Sequence, residues 1–250
     1  MNLKRLSVFC MLLCFLLFLF SACQSDGVPV SEVPIVTNTP VPIQKPTPTT
    51  ALFRAVVPAG EPEAIDGVLS PGEWNQAFSD TFADGSEILL MHQDGYLYVA
   101  IRANTTGAVA GNIYLFTGDE ISIHHTSAAL GTGRYQQDGE SWQLAQTFDW
   151  RCRETNDSET ARYARENFFQ DEGWVSINSW MGTPNELEYK IEMPEGSFRL
   201  AANYLTATTD AVKIPWPRDL ADDSIVIMTG GLPQQLAFAP EDWASVEILD

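Results

Sequence analysis

Two apolar runs flank an Asp-Gly pair in the stretch Ile-Leu-Leu-Met-His-Gln-Asp-Gly-Tyr-Leu-Tyr-Val-Ala-Ile, residues 88–101. Asp-Gly between alternating apolar residues is typical of a tight β-hairpin turn, here at Asp94-Gly95. After the turn, Leu97, Val99 and Ile101 alternate with the residues between them, as in a strand that presents opposite faces. The stretch therefore predicts two antiparallel strands of a β-sheet.

The same period of two recurs along the chain to its end. Leu187, Tyr189 and Ile191 alternate with charged residues, which predicts a strand with one buried face and one solvated face. Further predicted strands cover residues 112–116, 120–125, 174–179, 198–206, 224–229 and 244–249. Many short strands between Gly, Pro and Asp turns indicate an all-β fold, an antiparallel β-sandwich of jelly-roll-like type. One short helix is inserted at residues 158–169, with Asp157 as its cap and with Ala161, Ala164 and Phe168 on one side.

The N-terminus has the order of a signal peptide. Lys4 and Arg5 precede an apolar run that ends in the small pair Ser21-Ala22, directly before Cys23. The run is shorter than the about 20 apolar residues that span a bilayer. Residues 1–22 are therefore predicted to be removed on export, and the short sequence around Cys23 resembles a bacterial lipobox. This resemblance implies a lipid on Cys23 and a protein held on the extracytoplasmic face of a cell membrane.

A proline-rich stretch follows the predicted lipid site. Residues 23–59 are rich in Pro, Thr and Val and show neither helical nor strand periodicity, which predicts an extended tether. Residues 60–250 are then expected to form one β domain. Cys152 is the single cysteine of that predicted domain, and no histidine-based signature surrounds it, so it is interpreted as an inert thiol.

The overall charge limits the partners. The chain carries a formal charge of −19, and its sequence contains no run of Lys or Arg that would offset it. Nucleic acid is therefore excluded as a predicted partner, and contact with a membrane is expected through the lipid rather than through the protein surface.

A second motif lies upstream of the hairpin, at residues 65–74, Ile-Asp-Gly-Val-Leu-Ser-Pro-Gly-Glu-Trp. Gly67 and Gly72 allow turn conformations that other residues avoid, and Ile65, Leu69 and Trp74 supply apolar anchors around the turn. The motif resembles the opening of family 9 carbohydrate-binding modules and their DOMON-like relatives. The order of later motifs continues the resemblance at residues 94–100, 118–123, 187–194 and 240–244. The resemblance implies a β-sandwich, and its members bind sugars, haem or ligands that are unknown.

Candidate ligand-binding residues are the tryptophans and their polar neighbours. Alternation places Trp174, Asn178 and Trp180 on one side of a predicted strand, a combination of aromatic and amide groups that suits sugar binding. The segment between residues 125 and 174 lies outside the resemblance and contains Trp142, Trp150 and Arg134, which complete the predicted ligand-binding set. Packing of these tryptophans in the core is the alternative.

Cofactor and catalytic signals are weak. His124 and His125 are adjacent and must point to opposite faces of a strand, so they suit neither a shared zinc site nor a haem with both ligands from this pair. No cofactor is predicted, although the many Asp and Glu residues leave calcium open. The sequence contains no G-x-S-x-G and no P-loop. It is therefore interpreted as a non-enzymatic protein that binds a glycan or another extracellular ligand, with an envelope assembly component and a haem-binding redox domain as alternatives.

Overall fold

The turn at Asp94-Gly95 forms as the sequence predicts. Both residues have positive φ, 51° and 83°, which is the backbone that a two-residue hairpin of primed type requires. The strands on either side, Glu87–Gln93 and Tyr96–Arg102, pair antiparallel along their whole length. The hairpin therefore supplies two neighbouring strands of one sheet. The computed structural model describes residues 53–126, 133–147, 158–178, 183–206, 213–218, 220 and 232–249.

The described residues form two sheets and an α-helix. The strands are β1 (Arg54–Val57), β2 (Phe78–Thr81), β3 (Glu87–Gln93), β4 (Tyr96–Arg102), β5 (Val109–Phe116), β6 (Glu120–His125), β7 (Gly133–Asp138), β8 (Ser141–Thr147), β9 (Trp174–Asn178), β10 (Glu186–Glu192), β11 (Arg199–Thr206), β12 (Lys213–Trp216), β13 (Gln235–Leu236) and β14 (Ala244–Ile248). The α-helix is α1 (Glu159–Glu172), and a short 3-10 helix covers Pro240–Asp242. The prediction of an all-β sandwich with one short helix is confirmed.

Each sheet has its own strand order. In the described residues, the smaller sheet runs β2-β3-β4-β10-β9. The larger sheet runs β1-β14-β11-β5-β6-β7-β8-β13, with β12 paired to β11. The main core lies between the sheets and contains Leu97, Val99 and Ile101 from β4 together with Leu187 and Ile191 from β10. These are the inward positions that the period-two pattern predicts.

The predicted boundary of the tether is wrong at its C-terminal end. Strand β1 lies within the stretch assigned to the tether, and it pairs parallel with β14, near the end of the chain. Ala55 and Val57 are fully buried in the main core, and Gly60 donates its N–H to the carbonyl of His92 at 2.8 Å. The folded part therefore includes residues 53–59. A four-residue strand with a parallel, long-range partner gives too short a pattern to recognise.

The prediction of a solvated face on β10 is wrong at Glu186 and Glu188, which are buried, whereas Glu192 at the end of the strand is exposed. Part of the outer face of the smaller sheet is covered by a segment formed by residues 65–77, which packs Leu69 and Trp74 on Leu89 and Met91. Glu188 is fully buried beneath this covering segment. Alternation shows which side chains share a face, but it does not show what lies over that face.

Glu188 binds the covering segment through three N–H donors. Its Oε2 accepts from the backbone N–H of Asp66 at 2.9 Å and of Gly67 at 2.8 Å, and its Oε1 accepts from the indole N–H of Trp74 at 3.2 Å. Gly67 has a φ of 80°, as the turn prediction required. The motif at residues 65–74 therefore has a structural role, in which it covers part of the outer face of the smaller sheet.

The helix begins at Glu159, one residue later than predicted, and its N-cap is likewise one residue after the predicted cap. The Oγ of Ser158 accepts the N–H of Ala161 at 3.1 Å, so Ser158 is the N-cap. Asp157, the predicted cap, lies outside the described residues. Ala161 and Phe168 are buried on one side, as predicted, and Phe168 reaches the main core. Within the described part of the chain, no helix has the length and apolarity needed to span a membrane.

Candidate functional site

Trp174 lies in the core and not on an exposed binding face. Its side chain is 1% exposed, and its ring makes edge contacts with Phe168 at 5.1 Å and with His124 at 4.9 Å between ring centroids. All five residues of β9 are buried. The prediction that Trp174 presents an aromatic face to a ligand is therefore not met.

The polar residues of β9 bond to the opposite sheet. The Nδ2 group of Asn178 donates to the carbonyl of Val109 at 3.2 Å, and Ser176 Oγ donates to the carbonyl of His125 at 3.2 Å. A buried strand tolerates polar side chains when backbone carbonyls accept their hydrogen bonds. The alternation of β9 thus reflects how one sheet closes on the other, and Asn178 is placed away from solvent.

Trp142 and Arg134 belong to the larger sheet, in β8 and β7. Trp142 is 4% exposed and belongs to a second aromatic cluster with Phe116 and Phe238. Arg134 Nε lies 3.5 Å from a carboxylate oxygen of Glu120. Trp142 belongs to a different packed cluster from Trp174, so these two tryptophans do not line a common site. The remaining predicted residues, Trp150, Trp180 and the predicted lipid site Cys23, lie outside the described residues, as does Cys152.

The two adjacent histidines point apart, as predicted. His124 packs on Trp174 in the main core, whereas Nδ1 of His125 is 2.7 Å from Oδ1 of Asn112. Burial lowers the pKa of His124 to about 3, with a smaller contribution from Arg134, and burial lowers the pKa of His125 to about 4. Both rings are therefore neutral at physiological pH. Among the described residues, no group of three or more His, Cys, Asp or Glu side chains is placed to hold a metal ion.

An open groove lies where α1 meets the outer face of the smaller sheet. Its volume is about 240 Å³. Its floor is formed by Val175 and Ile177 of β9, which alternate with the inward-facing Trp174 and Asn178. Its lining residues are Ile65, Arg162, Arg165, Glu166, Phe169, Val175, Ile177 and Lys190.

The helical period explains the wall of this groove. Arg162, Arg165, Glu166 and Phe169 are spaced i, i+3, i+4 and i+7, so they share one face of α1. Phe168, on the neighbouring side of α1, anchors the helix in the main core. The same helix therefore has an apolar side that fixes it to the sandwich and a side with charged groups and one aromatic ring that faces the groove.

Lys190 brings a third cation to the groove from β10. It is the cross-strand neighbour of Val175 on one side and of Tyr98 on the other. Its ammonium lies 4.2 Å from the ring centroid of Tyr96 and 5.0 Å from that of Phe169. Cation–π contacts of this length attract an ammonium to the ring faces. They position the charge of Lys190 at the groove.

The opposite wall of the groove depends on Glu188. Ile65 is part of the covering segment and precedes Asp66, whose N–H is bonded to Glu188. Burial raises the pKa of Glu188 to about 8, against the N–H groups of Gly67 and Asp66, which lower it. Glu188 acts on the site by positioning this segment, because it is fully buried and is not one of the lining residues.

Comparison with known proteins gives no relative: no family model, no curated protein and no solved structure matches the chain. The resemblance to carbohydrate-binding modules therefore rests on the quoted motifs alone. The groove is not predicted from the sequence, because tryptophans are the main candidate binding residues there. The spacing Arg-x-x-Arg-Glu-x-x-Phe at residues 162–169, on the face next to the apolar side of the same helix, is the signal that could have found it.

Proposed function

We propose that this protein is an extracytoplasmic binding protein, anchored by a lipid on Cys23, whose β-sandwich binds a carbohydrate without catalysing a reaction. The ligand site is the groove between α1 and the smaller sheet. The observation that carries the proposal is the convergence of an aromatic ring, an apolar floor and charged hydrogen-bonding groups in one open groove.

The lining chemistry supports a sugar ligand. Phe169 is half-buried at the groove and can offer an aromatic surface to the C–H face of a sugar ring. Arg162 and Arg165 can donate to sugar oxygens, while Glu166 can accept from hydroxyl groups. Because the groove is open to solvent, a segment of an extended polysaccharide can enter it from the side.

The proposal of a non-catalytic role rests on the carboxylates. Glycoside cleavage uses a pair of carboxyl groups on either side of the bond. Among the described residues that line the groove, Glu166 is the one carboxylate. This composition favours retention of a ligand over its hydrolysis.

A glycan array probed with the detergent-solubilised full chain tests the proposal. We expect binding to a defined set of glycans, and we expect Phe169→Ala to weaken that binding by about 1–3 kcal/mol, the scale of one aromatic contact at an interface. Tyr163→Ala is the matched control, because Tyr163 is an aromatic residue of the same helix that is 66% exposed and does not line the groove. Absence of binding to every glycan, or equal losses in the two variants, would refute the proposal.

A further inference from the structure

The groove differs in charge from the chain as a whole. The chain has a formal charge of −19, yet the groove has three cationic side chains, Arg162, Arg165 and Lys190, against one carboxylate, Glu166. The sequence has no run of basic residues that would indicate this local positive charge, because α1 and β10 supply the cations from separate parts of the chain. We propose, on the basis of the proposed function, that the groove selects acidic carbohydrates whose sugars carry carboxylates.

The two arginines favour a carboxylate in particular. They are three residues apart on α1, so both extend from the same wall of the groove. A guanidinium presents a planar set of N–H donors that matches the two oxygens of a carboxylate. Successive carboxylates along a polyuronate chain could meet these donors in turn, whereas a neutral glycan offers hydroxyl groups alone.

Lys190 provides the charge on the sheet side of the groove. Its ammonium is positioned over Tyr96 and Phe169, and Phe169 also belongs to the aromatic surface proposed to stack on the sugar. A ring stacked beside Phe169 would therefore place its own substituents close to the ammonium. This arrangement combines an apolar contact with a charge contact on one sugar unit.

The net negative charge of the protein opposes the binding of an acidic glycan. An acidic surface repels polyanions at long range, and salt screens both this repulsion and the attraction within the groove. An acidic glycan must therefore gain enough from the local cations to overcome the net charge. Binding of an acidic glycan would therefore be due to the groove, since the overall charge of the chain predicts weak binding of any anion.

Isothermal titration of the detergent-solubilised full chain with three oligouronates, those of galacturonate, glucuronate and mannuronate, tests the inference. Each is compared with its methyl ester, which keeps the sugar backbone and removes the charge. We expect at least one oligouronate to bind about tenfold or more tightly than its ester, the effect of one charge-assisted hydrogen bond. Equal affinities for acid and ester, or no binding of any oligouronate, would overturn the inference.

Charge-neutralising variants locate the effect. Arg165→Gln and Lys190→Gln should each reduce affinity for the acid about tenfold while leaving affinity for the ester nearly unchanged. Arg54→Gln makes the same change of charge at a residue paired with Glu247, away from the groove, and should have little effect. Equal losses in all three variants would overturn the assignment to the groove. If neutral glycans of the array bind and oligouronates do not, the acidic selection fails while the proposed function stands; if nothing binds, the proposed function itself fails.

Discussion

Replacing Glu188 by alanine tests how the covering segment is attached to the sandwich. The glutamate is fully buried and accepts three N–H donors, from Asp66, Gly67 and Trp74. Alanine would remove the acceptor for all three and leave a cavity beneath residues 65–74. The same change would loosen Ile65 at the wall of the groove.

The magnitude follows from the burial of the donors. The hydrogen bonds from Gly67 and Trp74 are buried, whereas the one from Asp66 is partly buried. A buried donor without a partner costs about 1–3 kcal/mol, so the two buried ones give about 2–6 kcal/mol of lost unfolding free energy. Glu188→Gln keeps an oxygen for the backbone donors but turns an amide N–H₂ towards the indole N–H, and we expect it to lose about 1–2 kcal/mol.

The pH dependence has a definite sign. Burial raises the pKa of Glu188 from 4.5 to about 8, so the folded state binds this proton more tightly than the unfolded state. The contribution of this proton to the free energy of unfolding is fully present below about pH 4.5 and declines as the pH rises towards 8. The stability advantage of the parent over Glu188→Gln should therefore shrink between pH 5 and pH 8.

Chemical denaturation of the parent and its variants at pH 5, 6, 7 and 8 measures both effects. Glu192→Ala is the control, because Glu192 lies on the same strand but is exposed, and we expect it to stay within about 0.5 kcal/mol of the parent. An alanine variant at position 188 within about 1 kcal/mol of the parent would refute the attachment. A parent advantage over the Gln variant that grows with pH would refute the assigned protonation.

Three further predictions concern the core, the N-terminal strand and the anchor. Trp174→Ala should lose about 3–5 kcal/mol of unfolding free energy, because the indole is buried in the main core. A loss below about 1 kcal/mol in thermal melting would show that the indole lies on the surface instead. A chain that starts at Phe53 should melt like the full chain. One that starts at Gly60 should lose about 2–4 kcal/mol of unfolding free energy, because it lacks the buried side chains of β1. Equal melting of the two shortened chains would contradict this prediction. Cys23→Ala should abolish metabolic labelling by a fatty-acid analogue, and retained labelling would exclude Cys23 as the lipid site.

Much of the sandwich could be predicted because its strands carry a local signal. The inward positions of β4 and β10 follow a strict period of two, and the turn between β3 and β4 has the Asp-Gly pair that its positive φ angles require. The helix could be located from its apolar side, where Phe168 meets the core. These features depend on residues close together in the sequence.

The features that could not be predicted depend on distant partners. Strand β1 has a short, irregular sequence, and it is held in place by β14 at the other end of the chain. Glu188 has the pattern of a solvated residue, but it is buried and bonded to the covering segment, more than a hundred residues upstream. The polar residues that follow Trp174 on the same side of β9 predict a ligand face, yet those residues bond to the opposite sheet.

The motifs that indicate the fold and the residues that form the groove belong to different parts of the chain. The opening motif at residues 65–74 packs on the smaller sheet, and of its residues Ile65 reaches the groove. The charged wall comes instead from α1, an insertion that lies outside the resemblance to carbohydrate-binding modules. A fold can carry unrelated ligands when such an insertion changes, since the sheets need only support it. Substitutions along the groove face of α1 should therefore alter what is bound without altering the sandwich, whereas substitutions at Glu188 should act through the sandwich.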